Sequence, residues 1–172
     1  MSINQKFLFY LSRFAEAYPI GHSKYAPGTM SSLIGVLVGC FLILNLDIKF
    51  YLIFLLIFII VSYLLCEVHL KFFNKKDPKE VVVDEISGQF IAILGCVQSD
   101  KSTYMFLSLL LSFVLFRFFD ITKIGPIKRF ENLPNGIGIM ADDIVAGIFA
   151  LVTQAAILTS LNLNIYIKTL WD

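Results

Sequence analysis

Charge is scarce in this sequence. Only 16% of its residues are Asp, Glu, Lys or Arg, and from Ile144 to Ile167 there is none at all. A water-soluble domain carries charge on about a quarter of its residues, so a soluble globular surface is excluded. Histidine is nearly absent, with only His22 and His69, far apart and each beside an apolar stretch. Both are expected at the membrane interface rather than as metal ligands. The three cysteines, Cys40, Cys66 and Cys96, fall in separate apolar blocks with no CxxC spacing, which argues for buried small hydrophobes and against a thiolate metal site. A net charge of +1 and the lack of basic clusters interleaved with aromatics exclude a nucleic-acid partner. The apolar run Phe7–Leu11 is too short for a signal-peptide core and ends at Arg13, so no signal peptide is expected.

What is abundant is oil. Hydrophobic residues make up 58% of the 172, and the mean hydropathy is +0.79. The excess lies in five uncharged or nearly uncharged blocks, Tyr25–Leu46, Phe50–Cys66, Ile86–Ser99, Ser102–Phe116 and Ile144–Ile167. A membrane-spanning helix needs about 20 mostly apolar residues, and with flanks counted only Ile86–Ser99 is clearly short. The predicted fold is all-α: a polytopic membrane helical bundle of four to five segments, with Ile86–Ser99 either crossing or re-entrant. Residues 2–20 place Phe7, Leu8, Leu11, Phe14, Ala15 and Tyr18 at helical spacing among Lys6, Arg13 and Glu16, which predicts an amphipathic helix in the headgroup plane. No internal repeat or composition break divides the chain, so a single membrane domain over 1–172 is expected. Residues 1–24 would be its interfacial helix and loop, and 25–165 its bundle.

Boundaries follow from turn chemistry. Gly21, Pro27 and Gly28 signal a loop, after which Thr29 or Ser31 is expected to cap the first span. The second span is expected to run on to Phe73, and NKKDPKE (74–80) to form a surface loop. A span over 103–121 precedes a long loop at 122–140, whose Asn135-Gly136-Ile137-Gly138 reads as a flexible turn with N–H groups free for phosphate.

Positive charge orients the bundle. With a cytoplasmic N-terminus and five crossings, Lys6, Arg13, Lys24, Lys71, Lys75, Lys76, Lys79, Lys123, Lys128 and Arg129 fall on the cytoplasmic side. Lys49, Lys101 and Lys168 fall on the other, and Arg117 sits in a span. The same layout brings Asp84, Glu85, Asp120, Asp142 and Asp143 to the cytoplasmic ends of their helices, together with Thr29, Arg117, Lys123 and Lys128. Carboxylates at a membrane boundary are costly. One pair could merely mark a helix end and favour its macrodipole, but five mutually repelling acids need a cation to gather. Hard oxygen ligands without His or Cys point to Mg2+. Arg117, Asp120 and Lys123 lie near one helix face, where Arg117 is either the ion-pair partner of Asp120 or a phosphate clamp. Lys128 is expected to meet the substrate phosphate from headgroup level, where bulk anionic lipid is its plainer partner. Acids for Mg2+, cations for phosphate and a membrane frame together point to phosphoryl chemistry on a lipid.

Three blocks carry a resemblance: APGTMSSL (26–33), VVVDEISGQF (81–90) and LFRFFDITKIGPIKRFE…NGIGIMADDIVAG (115–147). They are similar to the phosphatidylglycerophosphatase A family patterns APGTxGSL, IVxDExxG and FRxxDxxKPxPI followed by GGxGIMxDDxxAG. The resemblance implies Mg2+-dependent removal of the terminal phosphate of phosphatidylglycerophosphate at the cytoplasmic face of the bacterial inner membrane, with membrane phospholipid as the partner. It assigns Asp84, Glu85, Asp120, Asp142 and Asp143 as metal and catalytic acids. Arg117 and Lys123 become the phosphate cations, with Thr29 nearby. The chain departs from the pattern at Ser31 (usually Gly), Ile124-Gly125 (Pro-Trp), Glu131 (Asp) and Pro134-Asn135 (His-Gly). The expected reaction is in-line attack by a Mg2+-bound water, with Asp142 or Asp143 as base; the competing version makes an aspartate the nucleophile. A CDP-alcohol phosphotransferase would need an Ala-Arg after its aspartates, where Ile144-Val145-Ala146-Gly147 stands. The non-enzymatic alternative, a small transporter or cation pathway, would favour charges near the middle of spans.

Overall fold

A computed structural model describes residues 3–75, 78–98 and 102–171 and is helical almost throughout. Its helices are α1 (Ile3–Ala15), α2 (Pro27–Asn45), α3 (Ile48–Phe73), α4 (Val83–Ile93), α5 (Ser102–Thr122), α6 (Ile127–Glu131) and α7 (Asn135–Trp171). Short 3-10 turns occupy Ile20–His22 and Leu94–Gln98. Four segments, Pro27–Asn45, Ile48–Phe73, Met105–Thr122 and Asn135–Leu161, are long and apolar enough to cross a membrane. Lys76 and Lys101 of the charge count, and the Ser99 end of the third block, lie outside the described residues, as does the side chain of Lys168.

The short block is the centre of the molecule. Helix α4 packs against α2, α3, α5 and α7, and its residues from Ile86 to Ile93 are all buried. The outer helices instead turn Leu37, Phe41, Ile53, Ile57, Leu110 and Val152 outward, as lipid-facing spans should. Along α4, Glu85 meets Gly28, Gln89 meets Gly35 and Ile93 meets Gly39, so α4 runs alongside α2 in the same direction. It passes Phe116 at Gly88, and beyond it Gln154 meets both Gly95 and Ser108. The segment therefore travels one way through the bundle and α5 returns, which is not a re-entrant hairpin. Eleven α-helical and five 3-10 residues reach only about 26 Å, short of a ~30 Å hydrocarbon core. Enclosure by four helices permits this, because weaker 3-10 backbone is tolerated at membrane depth only where protein covers it. Close approach does the rest: a Cβ on Gly147 would strike the Gly88 carbonyl, and one on Gly88 would sit 2.6 Å from the Asp143 carbonyl. Polar side chains tie the layers, with Tyr51 donating to the Phe90 carbonyl (2.9 Å) and Gln154 Nε2 donating to Ser108 Oγ (2.8 Å).

Helix α1 is shorter than the 2–20 expected, since its α-helix ends at Ala15. It lies across the end of α3, with Phe9 against Phe72 and Ser12 and Ala15 buried, while Ile3, Phe7, Tyr10 and Phe14 face outward. His69 is interior rather than interfacial: α1 and the 78–82 connection close over it, and its Nδ1 lies 3.6 Å from Glu16 Oε1. Glu16, itself buried, also meets Arg13 and His22 at 2.6 Å. Neither Thr29 nor Ser31 caps α2. Pro27 takes its first position, and the Ser31 and Ser32 hydroxyls donate back to the Gly28 carbonyl (2.8 and 2.7 Å). Residues 122–140 are not one loop: α6 interrupts them and α7 already begins at Asn135. The N–H of Gly136 donates to Glu67 Oε1 at 2.9 Å, so it is not free for phosphate, and a carboxylate from α3 supports the helix start that two glycines would otherwise weaken.

Candidate active site

One end of the bundle holds the acids. Asp84 and Glu85 open α4, Asp120 sits in the last turn of α5, and Asp142 and Asp143 lie two turns inside α7 rather than at its mouth. All five line one chamber of about 740 Å3. Their placement follows from α4 and α7 packing at Gly88 and Gly147, which leaves no room for side chains between them and so sets Asp143 beside the start of α4.

The acids divide into three local groups. Asp84, Glu85 and Asp143 each offer an oxygen, and these oxygens lie within 4.8 Å of one another. Asp142 accepts from Lys123, whose Nζ is also 3.3 Å from Glu131. Asp120 is paired with Arg117. Several acceptors are left over: Glu85 Oε2, Asp142 Oδ1 and Asp143 Oδ1 are buried with no hydrogen-bond partner among the described residues. Buried carboxylate oxygens without partners carry a desolvation cost that a bound cation removes. The donor set is entirely oxygen, so the cluster fits a hard divalent ion. Asp84 Oδ1 is partly occupied, accepting the Glu85 backbone N–H at 3.0 Å.

The cations are less alike than their spacing implied. Lys123 ends α5 at φ 47°, a left-handed position that closes the helix, with its N–H donating to the Phe119 carbonyl at 2.8 Å. Its side chain lines the chamber. Burial alone would lower its pKa, but the hydrogen bond and charge of Asp142, joined by Glu131, outweigh that and raise it above the ordinary lysine range. Arg117 does not line the chamber. It stands behind Asp120, with Nη1 3.5 Å from Ser32 Oγ and its Nε buried and unpartnered among the described residues. A Cβ on Gly28 would collide with Glu85 Oε1 and come within 3.2 Å of Arg117, so that glycine makes room for both. Thr29 is half-buried and Lys128 exposed, and neither lines the chamber. Residues that motif reasoning passed over do line it, Glu67, Lys71, Lys75 and Lys79, and so does Asn135 of the expected turn. The signal for Lys75 and Lys79 was present in the NKKDPKE stretch, and all three lysines were weighed only for topology.

Residues 13–158 match the family model described as phosphatidylglycerophosphatase A. The chain is 39% identical over 133 residues to the Haemophilus influenzae protein of that name, covering 77% of this chain and 78% of that one. It is 31% identical over 137 residues to the Escherichia coli protein of the same name, covering 79% and 76%. Over a shorter stretch of 80 residues it is 36% identical to a Bacteroides thetaiotaomicron protein with the provisional name phosphatidylinositol-3-phosphatase, covering 46% and 48%. No solved structure matches.

Proposed function

The chain belongs to the phosphatidylglycerophosphatase A family of lipid phosphatases, and on that footing we propose that it converts phosphatidylglycerophosphate to phosphatidylglycerol within the membrane. The observation that carries the reading is the convergence of Asp84, Glu85 and Asp143, with unpartnered buried oxygens, in a chamber that also presents Lys123. Lipid phosphates of related headgroups share this chemistry, and the family name selects among them.

Mg2+ is the ion this donor set favours, held by Asp84, Glu85 and Asp143 with Asp120 and Asp142 beside them. When bound, it supplies Lewis-acid neutralisation of phosphoryl charge. The chain's own groups do the rest. Asp142 keeps Oδ1 open while Lys123 holds Oδ2, so Asp142 is placed to take the proton of the attacking water. Water oxygen bonds to phosphorus, the bond from phosphorus to the glycerol oxygen breaks, and that oxygen leaves as the alcohol with the proton that Asp142 took from the water. Lys123 offsets charge on the phosphoryl oxygens. Arg117 acts as a positioning residue through Asp120. Lys128, exposed on α6, meets anionic headgroups rather than the reacting phosphate, and Thr29 stands beside Gly28 in the first turn of α2, outside the chamber. The positive-charge bias supports a chamber at the cytoplasmic leaflet of the inner membrane, with the whole of 1–172 acting as one membrane domain, 1–24 at the interface and 25–165 as the bundle.

The test is phosphate release from phosphatidylglycerophosphate in neutral detergent micelles. Activity should need added Mg2+ after chelation and return with it. Asp84→Asn and Asp143→Asn should each lose more than the ~10–100-fold that disturbing an outer partner of a metal ligand costs. Full activity in chelator, or in Asp143→Asn, would overturn the metal assignment.

A further inference from the structure

Three lysines line the chamber from elements that give nothing to the carboxylate cluster. Lys71 is on the last turn of α3, and Lys75 and Lys79 are on the connection to α4. Their local pairings do not account for them. Lys71 Nζ is 3.3 Å from Glu67 Oε2 with its side chain 80% exposed, an i,i+4 contact of the weakest kind. Lys79 has no ion pair among the described residues. Lys75 is held by Glu80, which is anchored in turn: its Oε1 lies 3.8 Å from Nε2 of the buried His69. Burial alone would raise the Glu80 pKa, but the hydrogen bond from Lys75, its own backbone and the charges of Lys75 and His69 bring it below the ordinary range. Glu80 is therefore an anion that fixes Lys75 at the chamber wall.

The chamber is also larger than one phosphate requires. Its volume of about 740 Å3 lies within the ~300–1,000 Å3 of pockets that enclose a whole small ligand. Phosphatidylglycerophosphate carries two phosphates joined by glycerol. One is the terminal monoester that is cleaved, and the other is the diester that stays with the product. The chamber mirrors that division, with an acidic, metal-suited region on α4 and α7 and a lysine wall on α3 and its loop. We propose that Lys71, Lys75 and Lys79 bind the phosphodiester of the headgroup whose monoester occupies the acidic cluster, and so select lipids bearing two phosphates. This rests on the phosphatase reading above. A lipid with a single monoester, such as phosphatidic acid, leaves the lysine wall without a phosphate partner.

The experiment compares kcat/KM for phosphatidylglycerophosphate and for phosphatidic acid of matched acyl chains, in neutral detergent micelles with Mg2+. The wild type should favour the two-phosphate lipid. Combined Lys71→Gln, Lys75→Gln and Lys79→Gln should reduce that preference about tenfold or more, mainly through KM, as expected for lost charge-assisted contacts. The corresponding triple Arg variant should restore most of it. A parallel loss on both lipids would overturn the proposal, showing that the lysines only draw anionic lipid to the surface. An unchanged preference in the Gln variant would overturn it as well. If the wild type releases phosphate from neither lipid, the phosphatase reading itself falls, and the proposal with it.

Discussion

At the scale of single residues, the adjacent aspartates of α7 have different surroundings despite their shared sequence motif. Asp143 faces Asp84 and Glu85, while Asp142 faces Lys123, because successive helical residues diverge by about 100°. That separation was foreseeable from sequence; which aspartate went which way was not, since it depends on where α4 and Lys123 come to rest. Lys123 gives a measurable consequence. Its pKa is raised on folding, so its contribution to stability is complete below the unfolded lysine value near 10.4 and is lost as pH rises through the higher folded value. The melting temperature in detergent should therefore decline above about pH 10.4. Other lysines and tyrosines titrate there too, so the difference between variants is the readout. Lys123→Arg, protonated throughout that range, should lessen the decline, and Lys123→Gln should be less stable at neutral pH and also decline less. Identical alkaline slopes in the wild type and Lys123→Gln would show that the Asp142 pair does not stabilise the fold.

At the scale of elements, the long apolar helices were legible because composition alone marks a span, and α3 ends at Phe73 as the pattern indicated. The errors came where one element depends on another. The start of α7 reads as a loop from its own residues, since Gly136 and Gly138 are poor helix formers. It is helical because Glu67, sixty-nine positions away, accepts the Gly136 N–H. The depth of His69 was hidden for the same reason, as it is set by α1 folding across α3. Glu67 is thus a clip between α3 and the helix that carries Asp142 and Asp143. Replacing Glu67 by Ala should cost about 1 kcal/mol, the usual worth of a helix cap, and loosen the first turn of α7. Glu67→Gln, which keeps the acceptor, should cost less. Amide exchange at Gly136 is the direct measure: equal protection in the wild type and Glu67→Ala would exclude the clip.

At the scale of the whole molecule, an unusual core decides the architecture. In a soluble bundle the centre is apolar and the surface polar, but here the central helix carries Asp84, Glu85, Ser87 and Gln89 among its buried apolar residues, and the outer helices turn Leu37, Phe41, Ile57 and Val152 outward. Lipid accepts the outer faces, and neighbouring helices satisfy much of the polar centre, as Ser112 does for the Gln89 amide at 3.4 Å. Sequence periodicity cannot report this arrangement, because beyond its first turn α4 is apolar or small apart from Gln89 and looks like a failed span. Its parity nevertheless decides whether the basic groups share a side: an odd number of passages before the 122–135 connection would separate Lys123, Lys128 and Arg129 from Lys71, Lys75 and Lys79. With α4 counted, these lysines and the arginine share one side, the side that retains positive charge. Cysteine labelling in intact spheroplasts tests this, with Cys40, Cys66 and Cys96 first replaced by Ala or Ser. A Cys at exposed Lys128 should resist a membrane-impermeant maleimide until the membrane is opened, whereas a Cys at exposed Lys49 should react from outside. Labelling of position 128 from outside would invert the orientation, and labelling of both positions from the same side would remove one of the crossings.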